Sequence, residues 1–213
     1  MTTVYFIRHG ESMGNINGVC CGWHDIELSE KGVLQAQCTA DILKDVRFDK
    51  IYSSDLIRAC NTALPIAKSH GLEIIKDSGL REIFVGDWEN KSWEYINTHD
   101  REAYELWKFK PHLMKAPNGE SMVEVNDRIV TAVDNIVAQN PDSTICIASH
   151  CCVLKNLICY YIGRDLSQLN EIYICNASYS IVEFDEKRQA SIVSLNNVSH
   201  LENLGYIQNP NWV

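Results

Sequence analysis

Apolar and polar positions follow two rhythms that alternate along the chain. Residues 4–7 are an unbroken apolar run, and its lack of alternation predicts a strand covered on both faces. After a loop containing Gly and Asn, Ser29 opens a stretch to about residue 44 in which Leu34, Cys38 and Ile42 recur at helical spacing, flanked by Val33, Ala36, Ala40 and Leu43. The pattern repeats with a strand at 50–52, then a helix from 56 towards 69, capped by Asp55 and kinked or stopped early at Pro65. A third strand is predicted at 72–75. Further on, Pro117-Asn118-Gly119 marks a turn. Ser121-x-x-Glu124 is a capping box, opening a helix with Met122, Val125, Ile129, Val133 and Ile136 on one face. A strand at 144–148, a helix at 151–162, and a hairpin of 179–184 with 191–195 around Asp185-Glu186-Lys187-Arg188 complete the series.

Residues 77–118 keep neither rhythm and hold three of the five tryptophans among mixed charges, so they read as an irregular cap inserted over the core. Strands alternating with helices, closed by a hairpin, imply an α/β three-layer sandwich with a mostly parallel central sheet, a mixed edge and that inserted cap. The expected organisation is a single domain over 1–213, since about 200 residues bury roughly 70% of the unfolded surface in one core.

Composition narrows the partners. With 19 basic and 28 acidic side chains the net charge is −9, which disfavours nucleic acid, and 46% apolar with 22% charged residues excludes a disordered chain. No basic run precedes an apolar N-terminal segment and no apolar run approaches about 18 residues, so neither export nor a membrane partner is expected. Nine cysteines without a CxxC spacing point to free thiols in a reducing, cytoplasmic setting.

In open α/β sheets ligands bind beyond the carboxyl ends of the strands, and here those positions carry Arg8-His9, then Ser53-Ser54-Asp55 with Arg58, then Ser149-His150. Two arginines and two histidines at one edge of an acidic protein, with helix N-termini beside them, describe an anion site, and phosphate is the anion expected. Each of these residues alone has an ordinary structural reading as a salt bridge or a hydrogen-bonded spacer.

These residues carry a resemblance. Arg8-His9-Gly10-Glu11-Ser12 with Asn15, Gly22-Trp23-His24-Asp25, Leu28 to Gly32, Ser53 to Arg58 with Thr62, Leu80-Arg81-Glu82 with Gly86 and Trp88-Glu89, Pro117 to Ser121 with Arg128, and Ser149-His150 resemble, in order, the motifs of the histidine phosphatase superfamily with its phosphoglycerate-mutase-like fold. The likeness runs from Val4 to about Leu201. It implies a phosphomonoesterase that hydrolyses small phosphorylated metabolites through a phosphohistidine. His9 would be the nucleophile, Arg8, Arg58 and a cationic His150 would clamp the phosphoryl oxygens, and Glu82 would donate the leaving-group proton, with Glu89 and Asp87 as alternatives. Asn15, Gly22, Cys21 and Cys151 are the expected substrate-binding positions, and Glu11 is read as structural.

No metal or other cofactor is implied, because arginines do a metal's work in such a scheme. His24, His70, His99, His112 and His200 are scattered singly along the chain. Where the family carries glycines after its second histidine, this chain reads His150-Cys151-Cys152. A thiolate phosphate loop needs Arg six residues beyond its Cys, but Leu157 and Ile158 stand there. Mutase-type phosphoryl transfer and a catalytically silent phosphate-binding homologue are the competing readings. Between 77 and 118 the basic residues Arg81, Lys91, Arg101, Lys108, Lys110 and Lys115 are dispersed, which favours hydrolysis. Trp88, Trp93, Tyr95, Tyr104 and Trp107 either line the cap over an organic leaving group or pack it onto the core. A helix N-terminus and nearby cations are expected to lower the thiol pKa of Cys151 and Cys152, with Cys20 and Cys21 approaching the same edge, which would make the enzyme reversibly sensitive to oxidation. A homodimer is left open.

Overall fold

The computed structural model describes residues 1–204, so 205–213 of the expected domain lie outside the described residues. The strands are β1 (Thr2–Arg8), β2 (Lys50–Ser53), β3 (Ile74–Lys76), β4 (Thr144–Ser149), β5 (Tyr179–Phe184) and β6 (Ala190–Asn197). They form one sheet in the order β3-β2-β4-β1-β5-β6, with β3, β2, β4 and β1 parallel and the β5-β6 hairpin antiparallel along the β1 edge. The expected mixed edge is therefore present.

Alternation along each strand divides the core in two. Val4 and Phe6 of β1, Ile145 and Ile147 of β4, and Val182 and Phe184 of β5 meet the helices α6 (Met122–Gln139) and α7 (Cys151–Tyr161) on one face. Ile7, Ile51, Cys146 and Ala148 meet α2 (Glu30–Leu43) and α3 (Ile57–His70) on the other. Two helix layers around one sheet make the three-layer α/β sandwich. The capping box that opens α6 is formed in both directions between Ser121 and Glu124.

Two local expectations are corrected. Helix α3 runs unbroken through Pro65. An interior proline costs about 3 kcal/mol, and the packing of Ala63, Ile66 and Ala67 on the sheet offsets it. Asp55 does not cap that helix: Leu56 is the cap residue and makes no side-chain bond. Both Asp55 carboxylate oxygens are taken by Arg81, while the Ile57 amide at the start of α3 donates to Asp25 at 2.7 Å, so the capping acid comes from a distant loop.

The region 77–118 is less irregular than its sequence suggests. Helices α4 (Trp93–His99) and α5 (Arg101–Phe109) stand in it, as does α1 (Met13–Asn17) in the first loop, where Ser12 and Asn15 form a capping box. Leu80, Ile83, Val85, Trp88, Met114 and Ala116 are buried in the larger core. The two ends of the segment are thus rooted in the sandwich, while α5 buries no residue completely and brings Trp107 to the cavity described below.

Candidate active site

Strand register brings the site together. Arg8 pairs with Ser149 across β1 and β4, and Ala148 pairs with Ser53 across β4 and β2. The residues one step beyond, His9, His150 and Ser54, therefore leave three adjacent strands at one point. The His9 and His150 ring centroids are 5.2 Å apart.

His9 is 5% exposed and its Nδ1 lies 2.7 Å from the Gly10 carbonyl. A carbonyl only accepts, so Nδ1 carries the hydrogen and Nε2 keeps its lone pair, at a ring that lines the cavity. The turn that allows this is tight: the Gly10 amide donates to Thr62 Oγ1 at 2.9 Å, and a Cβ on Gly10 would lie 2.5 Å from the Gly32 carbonyl. Burial, then Arg58, then Arg8 push the His9 pKa well below its ordinary value, so the ring is neutral at pH 7.

Arg58 is fully buried, and its terminal nitrogens donate to the Gly22 carbonyl at 2.7 Å and the His24 carbonyl at 3.1 Å. The loop that supplies those carbonyls is held by Glu89, whose carboxylate accepts from the amides of Gly22, Trp23 and His24. Glu89 is thereby a structural acid, and Asp87 accepts from Asn118 instead of facing the site. Gly22 does not line the cavity: it is where a Cβ would meet the Ile83 carbonyl at 2.1 Å, and it serves the site through its hold on Arg58. Arg8 donates to the Ile174 carbonyl at 2.7 Å and leaves its Nε buried without a partner.

His150 is completely buried beneath this layer. Its Nε2 lies 2.8 Å from Ser54 Oγ and its Nδ1 has no partner. The expected cationic state is corrected for the free protein: burial, then the charges of Arg58, His9 and Arg8, hold its pKa well below the ordinary value. Glu82 reaches the same place from the 77–118 region. Its carboxylate accepts from the amides of Ile83 (2.9 Å) and Cys152 (3.2 Å), the latter in the first turn of α7. Arg128 fixes the backbone there, donating to the carbonyls of Gly79, Arg81 and Glu82 while paired with Glu120.

A cavity of about 400 Å³ opens over these groups, and Arg8, His9, Asn15, Cys21, Arg58, Glu82 and Cys151 all line it. Asn15 uses its Oδ1 to accept from the Ser12 amide and hydroxyl, so its amide nitrogen is the half left to donate. Glu11 accepts from Ser29, the structural part read for it. Trp93 and Trp107 form the roof, with ring centroids 5.6 Å apart. Polar lining residues that the sequence reading missed include Asn176 and Lys155. Asn176 donates to the His9 carbonyl at 3.0 Å, and Lys155 stands one helical turn beyond Cys151 on α7. No sequence signal distinguishes Lys155 from an ordinary solvent-facing lysine on a helix.

The lowered thiol pKa expected at Cys152 is overturned, while Cys20 and Cys21 do reach the same edge and line the cavity. Burial, then the charge of Glu82, raises the Cys152 pKa well above the ordinary value, burial also raises Cys20, and Cys21 is pushed up to about 11 by burial despite Arg58. Their burial in the cavity wall outweighs the helix N-terminus and the cations. The fourth, Cys151, directs its Sγ at the Ile174 carbonyl, 3.8 Å away.

Among the described residues no group of three or more His, Cys, Asp or Glu could hold a metal ion, and no helix is long and apolar enough to cross a membrane.

The sequence profile of the histidine phosphatase superfamily (branch 1) matches residues 4–198. Phosphoserine phosphatase 1 of Hydrogenobacter thermophilus is 33% identical over 201 residues, covering 94% of this chain and 95% of that protein. Phosphoglycerate mutase-like protein 4 of Arabidopsis thaliana is 32% identical, over 96% of this chain and 89% of that one. Among solved structures, Bacillus stearothermophilus YhfR superposes with a TM-score of 0.92 at 33% identity, covering 94% of this chain and 100% of its own.

Proposed function

The chain belongs to the histidine phosphatase superfamily (branch 1), and on that premise we propose how its residues divide the work of hydrolysing a phosphomonoester. The enzyme is a metal-independent phosphatase of small phosphorylated metabolites. One observation carries the assignment of roles: a buried, cavity-lining histidine with Nδ1 tied to a carbonyl, so that Nε2 keeps its lone pair, and the charges of Arg58 and Arg8 acting on it.

His9 Nε2 attacks phosphorus, and the ester oxygen leaves with the proton of Glu82. The P–O bond to the alcohol breaks as the N–P bond forms, so the alcohol departs neutral. Arg8 and Arg58 lie against the three phosphoryl oxygens and offset the charge that spreads over them. Arg8 Nε and His150 Nδ1, the two unpartnered nitrogens of this region, hydrogen-bond the same oxygens, and the Asn15 amide adds a further donor. A phosphate dianion there draws His150 towards its cationic form. Water, activated by the carboxylate that Glu82 has become, then attacks the phosphohistidine and releases phosphate.

Cys21 and Cys151 bound the phosphate end. Residues 77–118 act as the cap, and its dispersed lysines and arginines favour water over a second alcohol as the phosphoryl acceptor. The net charge of −9 and nine unpaired cysteines fit a cytoplasmic enzyme with a small-molecule partner and no nucleic acid. Phosphate release from p-nitrophenyl phosphate tests the reading. Activity in the wild type that disappears in His9→Ala supports it, and binding of phosphate esters without turnover, or turnover that survives in His9→Ala, rejects it.

A further inference from the structure

Besides Arg8 and Arg58, two lysines, Lys31 and Lys155, line the cavity. Lys155 projects from α7 into the cavity wall and is 7% exposed, yet its ammonium has no hydrogen-bond or ion-pair partner among the described residues. The carboxylates that line the cavity are those of Glu11 and Glu82. Glu11 accepts from Ser29 and Glu82 from the amides of Ile83 and Cys152, and neither is within ion-pair distance of Lys155. The stem is buried while the ammonium opens onto the cavity, so an anion on a ligand would meet a cation that no protein carboxylate pairs.

Its position says which part of a ligand that is. Cys151 follows His150 at the phosphate end, and Lys155 is four residues further along the same helix face, about 6 Å away. Met122 and Leu169 line the same cavity, and neither side chain carries an oxygen that could pair with the ammonium. A group that meets the lysine while its phosphate rests on Arg8 and Arg58 lies on the alcohol part of the ester.

We propose that Lys155 is a specificity residue that binds a carboxylate on the leaving alcohol, so that this phosphatase prefers phosphomonoesters of short hydroxy or amino acids over esters lacking that charge. The proposal rests on the phosphatase reading and adds a second anion subsite to it. A flexible, strongly hydrated ammonium suits a single carboxylate, and the two guanidinium groups are already engaged at the other end.

Phosphoserine and phosphoethanolamine differ by one carboxylate and make a matched pair, with p-nitrophenyl phosphate as a third substrate. Wild type should prefer phosphoserine. Lys155→Met should lower kcat/KM for it about 10- to 100-fold, mostly through KM, while phosphoethanolamine changes less than about 3-fold. Lys155→Arg should restore part of the preference, and Lys155→Gln substitutes for Met if the latter melts early. Equal losses on both esters, or a wild type with no preference, would overturn the carboxylate subsite and leave the phosphatase reading intact. If wild type hydrolyses none of the three, the phosphatase reading fails. Calorimetric titration of phosphoserine and phosphoethanolamine into wild type and Lys155→Met then decides the subsite by affinity, with the same difference expected and its absence contradicting the proposal.

Discussion

The floor and the roof of the cavity are built on opposite principles. At the floor, His9, Arg58 and Glu82 are each buried and each held by backbone groups: one carbonyl, two carbonyls and two amides. At the roof, Trp93 and Trp107 are partly buried and held by other rings, Trp107 meeting Trp88 edge-on at 6.4 Å. Directional bonds fix atoms within tenths of an ångström, which transition-state charge requires. Ring packing fixes shape loosely, which suffices to admit or reject an alcohol. The difference teaches that chemistry and substrate choice are separable here, and mutations can show whether the separation is real.

The largest effect belongs to the floor. His9→Ala should reduce kcat by about 10⁴-fold or more on every ester, large or small, as steady-state assays across a substrate panel will show. A loss confined to one class of ester would break the comparison. Glu82→Gln should come next and sharpen it. Alkyl phosphates should slow by about 10²- to 10⁴-fold, because an alkoxide does not leave without a proton, whereas p-nitrophenyl phosphate should change little. Equal losses would reduce Glu82 to a brace for the Cys152 amide.

A roof variant should behave differently in kind. Trp107→Ala should raise KM about 10-fold for esters of bulky alcohols and leave kcat on small ones unchanged. If kcat falls on all substrates alike, the roof helps to place the floor.

The smallest effect is on stability. His9 and His150 have folded-state pKa values below the ordinary 6.5, so between those values and 6.5 the unfolded chain binds more protons. Their contribution is therefore complete above about pH 6.5 and is lost as the pH falls below it. Thermal melts should show Tm dropping from pH 7 to pH 5 in wild type, and dropping less in His150→Asn. Parallel slopes would mean that the burial of His150 is not felt.

The same division explains what could be read from the chain. Elements with a clear rhythm, such as the run at 4–7 or the Val125-Ile129-Val133-Ile136 stripe, appear where the sequence places them, because burial against a sheet enforces periodicity. The Arg8-His9 and Ser149-His150 pairs were legible because strand ends converge. Segments fastened by capping and ring contacts were not. Helices α4 and α5 are short, and α5 buries nothing completely, so no apolar stripe announced them. Lys155 was hidden for another reason: a lysine on a helix ordinarily reaches solvent, and only the third dimension shows that this one faces a cavity. The Cys152 thiol was misread because sequence displays neighbouring charge but not desolvation, which dominates there.

Trapping the phosphoenzyme tests the central assignment most directly. Wild type mixed rapidly with ³²P-labelled ester, quenched without acid and digested should yield one labelled peptide containing His9, stable in base and labile in acid, with ³¹P NMR placing phosphorus on Nε2. Label on another residue, label on Nδ1, or steady turnover with no labelled intermediate at any quench time would contradict the account.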